Sequence, residues 1–347
     1  MLSRLGLVLL VLTAAAITLA YFTGFGFTIP IEKAVKAEVT AMTSPGQINR
    51  KIMDALEKDD IEDADMYFEV AKFLNYDMPT STVNKINDAH ELSATVVRNT
   101  YQFGEGFVTG KGDSNAGLAG AVTSDLTVIG DLRDIATEGT KMISDQEYSE
   151  LVLGLSVIGV GVTAATIATG GGGIIAKAGI SLVKAAKRAG RMTNEFATLL
   201  TRLTSDAVNF PLLRQTLRGV DLTDLTKTQR VLSDYGRNVR AARLMPILNR
   251  LGEINDTVGP AETIRLMKFM KTGEHLDDVT GMTKRFGVKS RGIMELTGKT
   301  ALRSFKTTFR VVEWLAESLA GLIMWIGGLL AMVLMRGVRF FSRRRPA

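Results

Sequence analysis

The chain of 347 residues contains no cysteine, which excludes disulfide staples, thiolate metal sites and thiol nucleophiles. It has only two histidines, His90 and His275, set in different halves. That argues against zinc chemistry and histidine relays and leaves carboxylates as the remaining acid–base groups. Charge is sparse too in three apolar stretches, near residues 5–22, 151–183 and 318–335, the middle one holding only Lys177. They raise the mean hydropathy to +0.14 although 22% of residues are charged, while the rest of the chain reads as an ordinary helical protein.

The formal net charge of +6 conceals an asymmetry. Residues 24–150 carry 11 basic and 22 acidic side chains, whereas residues 192–313 carry 20 basic and 13 acidic ones. Two segments of opposite sign imply different surroundings or different partners.

The first apolar run follows a single basic residue, Arg4, which is the pattern of an exported segment with its N-terminus left in the cytoplasm. Thr18-Leu19-Ala20 loosely fits a signal-peptide cleavage site, but Tyr21, Phe22, Phe25 and Phe27 continue the run as an interfacial aromatic belt, which favours an uncleaved anchor. Near the other end, Ser318–Met335 is uncharged and would rise about 27 Å as a helix, close to the hydrocarbon thickness of a bilayer. Trp314 precedes it, and Arg336, Arg339, Arg343, Arg344 and Arg345 follow as a cytoplasmic anchor. Ala316, Ala320, Gly327 and Ala331 share one face, a small-residue stripe suited to helix–helix packing and homo-oligomerisation.

The middle run, Leu151–Thr169, is uncharged and leads into Gly170–Gly173, where a helix must break. Beyond it an amphipathic helix is expected over 174–191, with Lys177, Lys184, Arg188 and Arg191 along one side. Such a face suits anionic lipid headgroups, and these four residues are the candidate membrane-surface contacts. A buried hairpin in a protein core fits the pattern equally well.

Both basic ends belong in the cytoplasm by the positive-inside rule. Two spans then place the bulk of the chain on the other side, the periplasm if the membrane is a bacterial inner membrane. The expected fold is mainly α: a membrane-anchored helical bundle with a transmembrane helix near each terminus and a central glycine-rich apolar hairpin. The segments are 1–23 (anchor), 24–150 (acidic), 151–191 (hairpin and basic helix), 192–313 (basic, short helices), 314–335 (transmembrane) and 336–347 (arginine-rich tail).

Within the body, Gln47–Lys58 and Ile61–Asn75 predict a helical hairpin joined by Asp59-Asp60, similar to half of a tetratricopeptide pair but without further copies to stack on. A helix is expected around 80–100. The loop from Gly104 to Gly117 is not a P-loop, since Gly112 follows Gly110-Lys111 where Ser or Thr belongs, and it lacks the ligand spacing of an EF-hand. Short helices broken at Gly or Pro 211, 219, 236, 246, 252, 259–260, 273, 287 and 298 fill the basic segment. Leu222-Thr-Asp-Leu-Thr and Leu276-Asp-Asp-Val-Thr share a spacing, each read as opening a helix.

The string Val128-Ile-Gly130-Asp131-Leu-Arg-Asp134, then the apolar run, then Leu182-Val-Lys-Ala-Ala-Lys-Arg188, resembles the pre-toxin segment of bacterial polymorphic toxins over residues 125–190. The resemblance implies membrane association or delivery for this stretch. No recognisable toxin domain follows it.

No catalytic, cofactor-binding or metal-binding residue is assigned. Acidic pairs such as Glu105 with Asp113 or Asp131 with Asp134 are carboxylate candidates for catalysis, but solvated charge accounts for such pairs, and helix capping also for Asp131 and Asp134. Arg237, Arg240, Arg243 and Arg250 lack the aromatic interleaving of a nucleic-acid surface. Composition and placement point to a non-enzymatic envelope scaffold whose partners are anionic lipids and other envelope proteins. The alternative is a membrane-perturbing protein that inserts residues 151–191.

Overall fold

The computed structural model describes residues 25–90, 128–169 and 173–298, with isolated positions after 298. Two compact units are present, residues 43–296 and a unit made of residues 1–42 with 297–347. The expected anchor over 1–23, the loop 104–117, Ala316, Ala320, Ala331 and the tail from Arg336 to Arg345 (Arg336, Arg339, Arg343, Arg344, Arg345) lie outside the described residues. In the second unit, helix α1 (Phe25–Met42) buries Ile31, Val35 and Val39 at four-residue spacing, the mark of one apolar face. Gly327 has open space around its Cα, and Met324 and Trp325 are exposed.

The larger unit is built from helices, with no strand among the described residues. Helices α2 (Pro45–Glu57) and α3 (Ile61–Leu74) form the expected hairpin. Ser44 and Gln47 close a capping box at the start of α2. Asp60 caps α3 by accepting from the Asp63 amide, and Asn75 ends it in a left-handed conformation. Helix α4 (Thr80–Ala89) is tied back by the Thr82 hydroxyl, which donates to Asn49 Oδ1 at 2.7 Å.

Next come α5 (Val128–Ile143), α6 (Glu150–Thr169), α7 (Ile174–Arg188), α8 (Asn194–Ala207), α9 (Phe210–Leu217) and α10 (Leu225–Tyr235). The unit closes with α11 (Met245–Val258), α12 (Pro260–Leu266), α13 (Gly273–Phe286) and α14 (Lys289–Thr297). Helix α6 runs through the middle. Every residue from Leu151 to Val160 is buried, against α5, α7, α8 and α10, as an all-round apolar helix requires. The two readings of the central run are thereby resolved in this structure: residues 151–160 pack in a protein core. No helix among the described residues is long and apolar enough to cross a membrane.

The glycines of this core admit close neighbours. A Cβ on Gly179 of α7 would stand 2.1 Å from the Leu248 carbonyl oxygen of α11, and one on Gly252 of α11 would stand 2.4 Å from the Ile175 carbonyl oxygen. Gly252 is thus a contact point inside α11, not the helix break expected from the sequence. Replacing Gly179 with Ala forces α7 and α11 apart and is expected to cost about 2–3 kcal/mol in thermal or denaturant unfolding. Gly46→Ala, with nothing within 4 Å, serves as the neutral control.

Only one of the two strings of shared spacing opens a helix. Asp224 caps α10, so Leu222-Thr-Asp does open a helix. Thr272 caps α13, and Leu276 and Asp277 sit well inside it. The cap four residues before Leu276 sets the start, with the Thr272 hydroxyl oxygen accepting from the His275 amide.

Candidate functional site

Two charged networks lie within the larger unit. The first forms where α5, α6 and α7 meet. Asp131 and Asp134 are one turn apart on α5, and Lys177, Lys184 and Arg188 follow one stripe of α7. Lys184 Nζ donates to Asp131 Oδ1 at 2.7 Å, to Asp134 Oδ2 at 2.8 Å and to Ser156 Oγ at 3.3 Å. Lys177 pairs with the other oxygen of Asp131, and Arg188 pairs with Asp134. Gly159 makes room for this arrangement, since a Cβ there would stand 2.3 Å from Asp131 Oδ2.

Lys184 and Asp131 are both 0% exposed. Burial pushes the Asp131 carboxyl above its ordinary range, against the pull of Lys184 and Lys177. Burial works in the same direction on Asp134, but Lys184 and Arg188 outweigh it and hold that carboxyl low.

These positions correct the membrane-surface assignment of Lys177 and Lys184. Both ammonium groups are buried on paired carboxylates, so they are not offered to headgroups. The physical reason is that the basic stripe of α7 faces a matching acidic pair. Arg188 is partly buried in the same network, and Arg191 is half-buried beyond the end of α7. Asp131 and Asp134, considered above as a catalytic pair, are fully engaged here. Of this network, Asp131, Asp134, Lys184 and Arg188 lie in the two strings 128–134 and 182–188, and Ser156 and Lys177 lie between them.

The second network joins the acidic hairpin to the basic segment. On α3, Asp63 accepts from both Arg265 and Arg291, and Asp60 Oδ2 accepts from Arg265 Nη2 at 3.0 Å. Arg291, only 2% exposed on α14, donates to Glu262 Oε2 at 2.7 Å, to Glu262 Oε1 at 2.8 Å and to Glu295 Oε1 at 2.9 Å. Glu295 also accepts from Lys268 Nζ at 2.6 Å and from the Tyr67 hydroxyl. Burial works against the charge on Arg291, but Glu262 and Asp63 more than offset it and raise its pKa further. Burial and Glu295 push the Tyr67 hydroxyl up, so it stays a neutral donor.

Burial alone would raise the Glu295 carboxyl, but Arg291, Lys268 and Tyr67 bring it down from 4.5 to about 2. A depressed carboxylate adds stability that is present above its unfolded pKa and is lost as pH falls through its folded one. Glu295→Gln is therefore expected to be about 3 kcal/mol less stable than the parent at pH 7. The gap should close as pH falls from about 4.5 to about 2. Denaturant titrations of both proteins across that window check it, and parallel curves would contradict it.

One side of this second network is open. A cleft of about 500 Å³ lies between α2, α3, the turn 190–193 and the ends of α12 and α14. Arg265, Arg291, Asp60, Asp63, Tyr67 and Glu295 form its inner wall, and Lys51, Asp54, Lys58 and Lys268 stand toward its mouth. Neither Lys51 nor Lys58 makes an ion pair among the described residues, and both are exposed. The sequence reading missed this site because its walls come from segments more than 200 residues apart, as in the Tyr67–Glu295 contact. The opposite net charges of residues 24–150 and 192–313 were the available signal.

The arginines considered for nucleic acid are dispersed. Arg243 approaches Asp206 at 3.5 Å, Arg250 approaches Asp277 at 3.2 Å, and Arg240 is exposed. No group of residues able to hold a metal ion occurs among the described residues. No known protein family, curated protein or solved structure matches the chain.

Proposed function

We propose that the chain is a non-enzymatic scaffold of the bacterial envelope, held by an apolar helix near each end, with its helical body on the extracytoplasmic side. One observation carries this reading. The uncharged runs 5–22 and 318–335 both fall outside the compact unit 43–296, so the body has its own core and the flanks are left for another environment. The cytoplasmic arginine tail supports the orientation. The partners would be anionic lipids and other envelope proteins, with self-association through the stripe Ala316, Ala320, Gly327 and Ala331. The pre-toxin resemblance supports membrane association for residues 125–190.

Alkaline carbonate extraction of membranes carrying the full chain tests the anchoring. Retention in the pellet is expected. Release into the supernatant, as for a peripheral protein, would remove the reading.

A second reading has its own support. Helix α6 is uncharged beyond Glu150 and amphipathic α7 follows it, so the pair forms a hairpin that could exchange its protein core for lipid. The ion pairs of Lys177 and Lys184 hold that hairpin in place at neutral pH. Acid would loosen the hold, because Asp131 is the carboxyl that burial pushes up. Dye release from anionic liposomes on adding the full chain at acidic pH, with none at neutral pH, is the expected outcome. Silence at both pH values would discard this reading.

A further inference from the structure

We propose that the cleft between the α2–α3 hairpin, the turn 190–193 and the α12 and α14 ends binds a small phosphorylated polyol, with Lys51 and Lys58 holding the phosphate and Asp54 accepting from a hydroxyl. The volume of about 500 Å³ falls within the range of small-ligand pockets. Its lining is charged, unlike the apolar pockets that suit hydrophobic ligands, so the occupant must be strongly polar.

The inner wall is fixed and largely neutralised. Arg265 and Arg291 are bonded to Asp60, Asp63, Glu262 and Glu295, and Lys268 is bonded to Glu295. None of these groups has to move when a ligand enters, which is the preorganisation that limits the entropic cost of binding. The mouth differs. Lys51 and Asp54 lie on α2 and Lys58 is its C-cap residue, at spacings of three and four residues, yet no ion pair forms among them. Two ammonium groups flanking one carboxylate, with no bonded partner among the described residues, match a phosphate with an adjacent hydroxyl. Lysine suits the phosphate as a point charge that adjusts to its oxygens.

Six basic and four acidic side chains line the cleft, and Glu262 behind the wall answers one of the cations. With Lys51 and Lys58 at the mouth, an anionic group is favoured there over a cationic one. A soluble sugar phosphate and the headgroup of phosphatidylglycerol present the same chemistry. This inference does not depend on where the body lies relative to a membrane.

Calorimetric titration of the full chain in mild detergent with glucose 6-phosphate, inorganic phosphate and glucose tests the assignment. Saturable binding of glucose 6-phosphate is expected, with weaker binding of inorganic phosphate and none of glucose. The Lys51→Gln/Lys58→Gln double variant, changed only at exposed positions, should keep the parent melting temperature and lose at least about tenfold in affinity. Asp54→Asn should weaken glucose 6-phosphate but leave inorganic phosphate unchanged. Nanodiscs containing phosphatidylglycerol identify the source. Competition with glucose 6-phosphate assigns the site to the lipid headgroup, and its absence assigns it to the soluble ester. The inference is overturned if glucose 6-phosphate fails to bind by about 10 mM, or if the double variant binds it as the parent does.

Discussion

Lys184→Met is expected to destabilise the 43–296 unit by about 3–5 kcal/mol, because it removes the cation that bridges two buried carboxylates. Lys184 has no exposed surface and bridges Asp131 and Asp134 at 2.7 and 2.8 Å. Methionine fills the space but supplies no proton donor. Asp131 is left with Lys177, and Asp134 with Arg188 and the longer contact to Arg133 at 3.5 Å. Burial already favours the protonated form of Asp131, so the variant should relieve its strain by taking up a proton there. The deficit should therefore shrink as pH is lowered. Adding Asp131→Asn to Lys184→Met should recover part of the loss, giving a non-additive double-mutant cycle. Additive losses that do not change with pH would mean that the network is not the source of the effect.

Arg291→Met is expected to match that loss or exceed it, again about 3–5 kcal/mol. Its guanidinium serves Asp63, Glu262 and Glu295, three carboxylates contributed by three different helices. Removing it leaves Glu262, 9% exposed, with no cation bonded to it among the described residues. Arg291→Lys should recover only part of the loss, because one ammonium cannot reproduce the planar fork that reaches both oxygens of Glu262. The α2–α3 hairpin should also lose protection from amide exchange ahead of α6 and α7. Arg291 is one of the two arginines that pair with Asp63 of α3, whereas α6 and α7 rest on their own network. Uniform loss of protection across the unit would contradict that separation.

The local structure was legible from the sequence wherever local chemistry decides it. The hairpin expected over Gln47–Lys58 and Ile61–Asn75, joined by Asp59-Asp60, is present as α2 and α3, with Ser44, Asp60 and Asn75 as its caps. The all-helical character followed from periodicity. The stripe Lys177, Lys184 and Arg188 was read as one face, and it is one face. Its partner was not legible. Asp131 and Asp134 lie about fifty residues upstream, and nothing local says whether a basic stripe meets lipid or aspartate.

Glycine was similarly ambiguous. Gly219, Gly259 and Gly287 have positive φ and follow helix ends as expected, whereas Gly159, Gly179 and Gly252 are there for the neighbour a Cβ would strike. A single sequence does not distinguish these uses, because the second depends on which helix packs alongside. The cleft was hidden for the same reason, with walls that meet only once the acidic and basic segments have paired.

The most direct test of the proposed placement uses the absence of cysteine. Glu147→Cys and Lys227→Cys each introduce a lone thiol at an exposed position of the 43–296 unit without touching either network. Intact bacterial spheroplasts carrying these variants are treated with a membrane-impermeant maleimide, beside a variant with one cysteine appended after Ala347. Both body thiols should label without lysis, and the appended thiol only after it. Body thiols that stay unlabelled until lysis would place the helical unit in the cytoplasm and contradict the account.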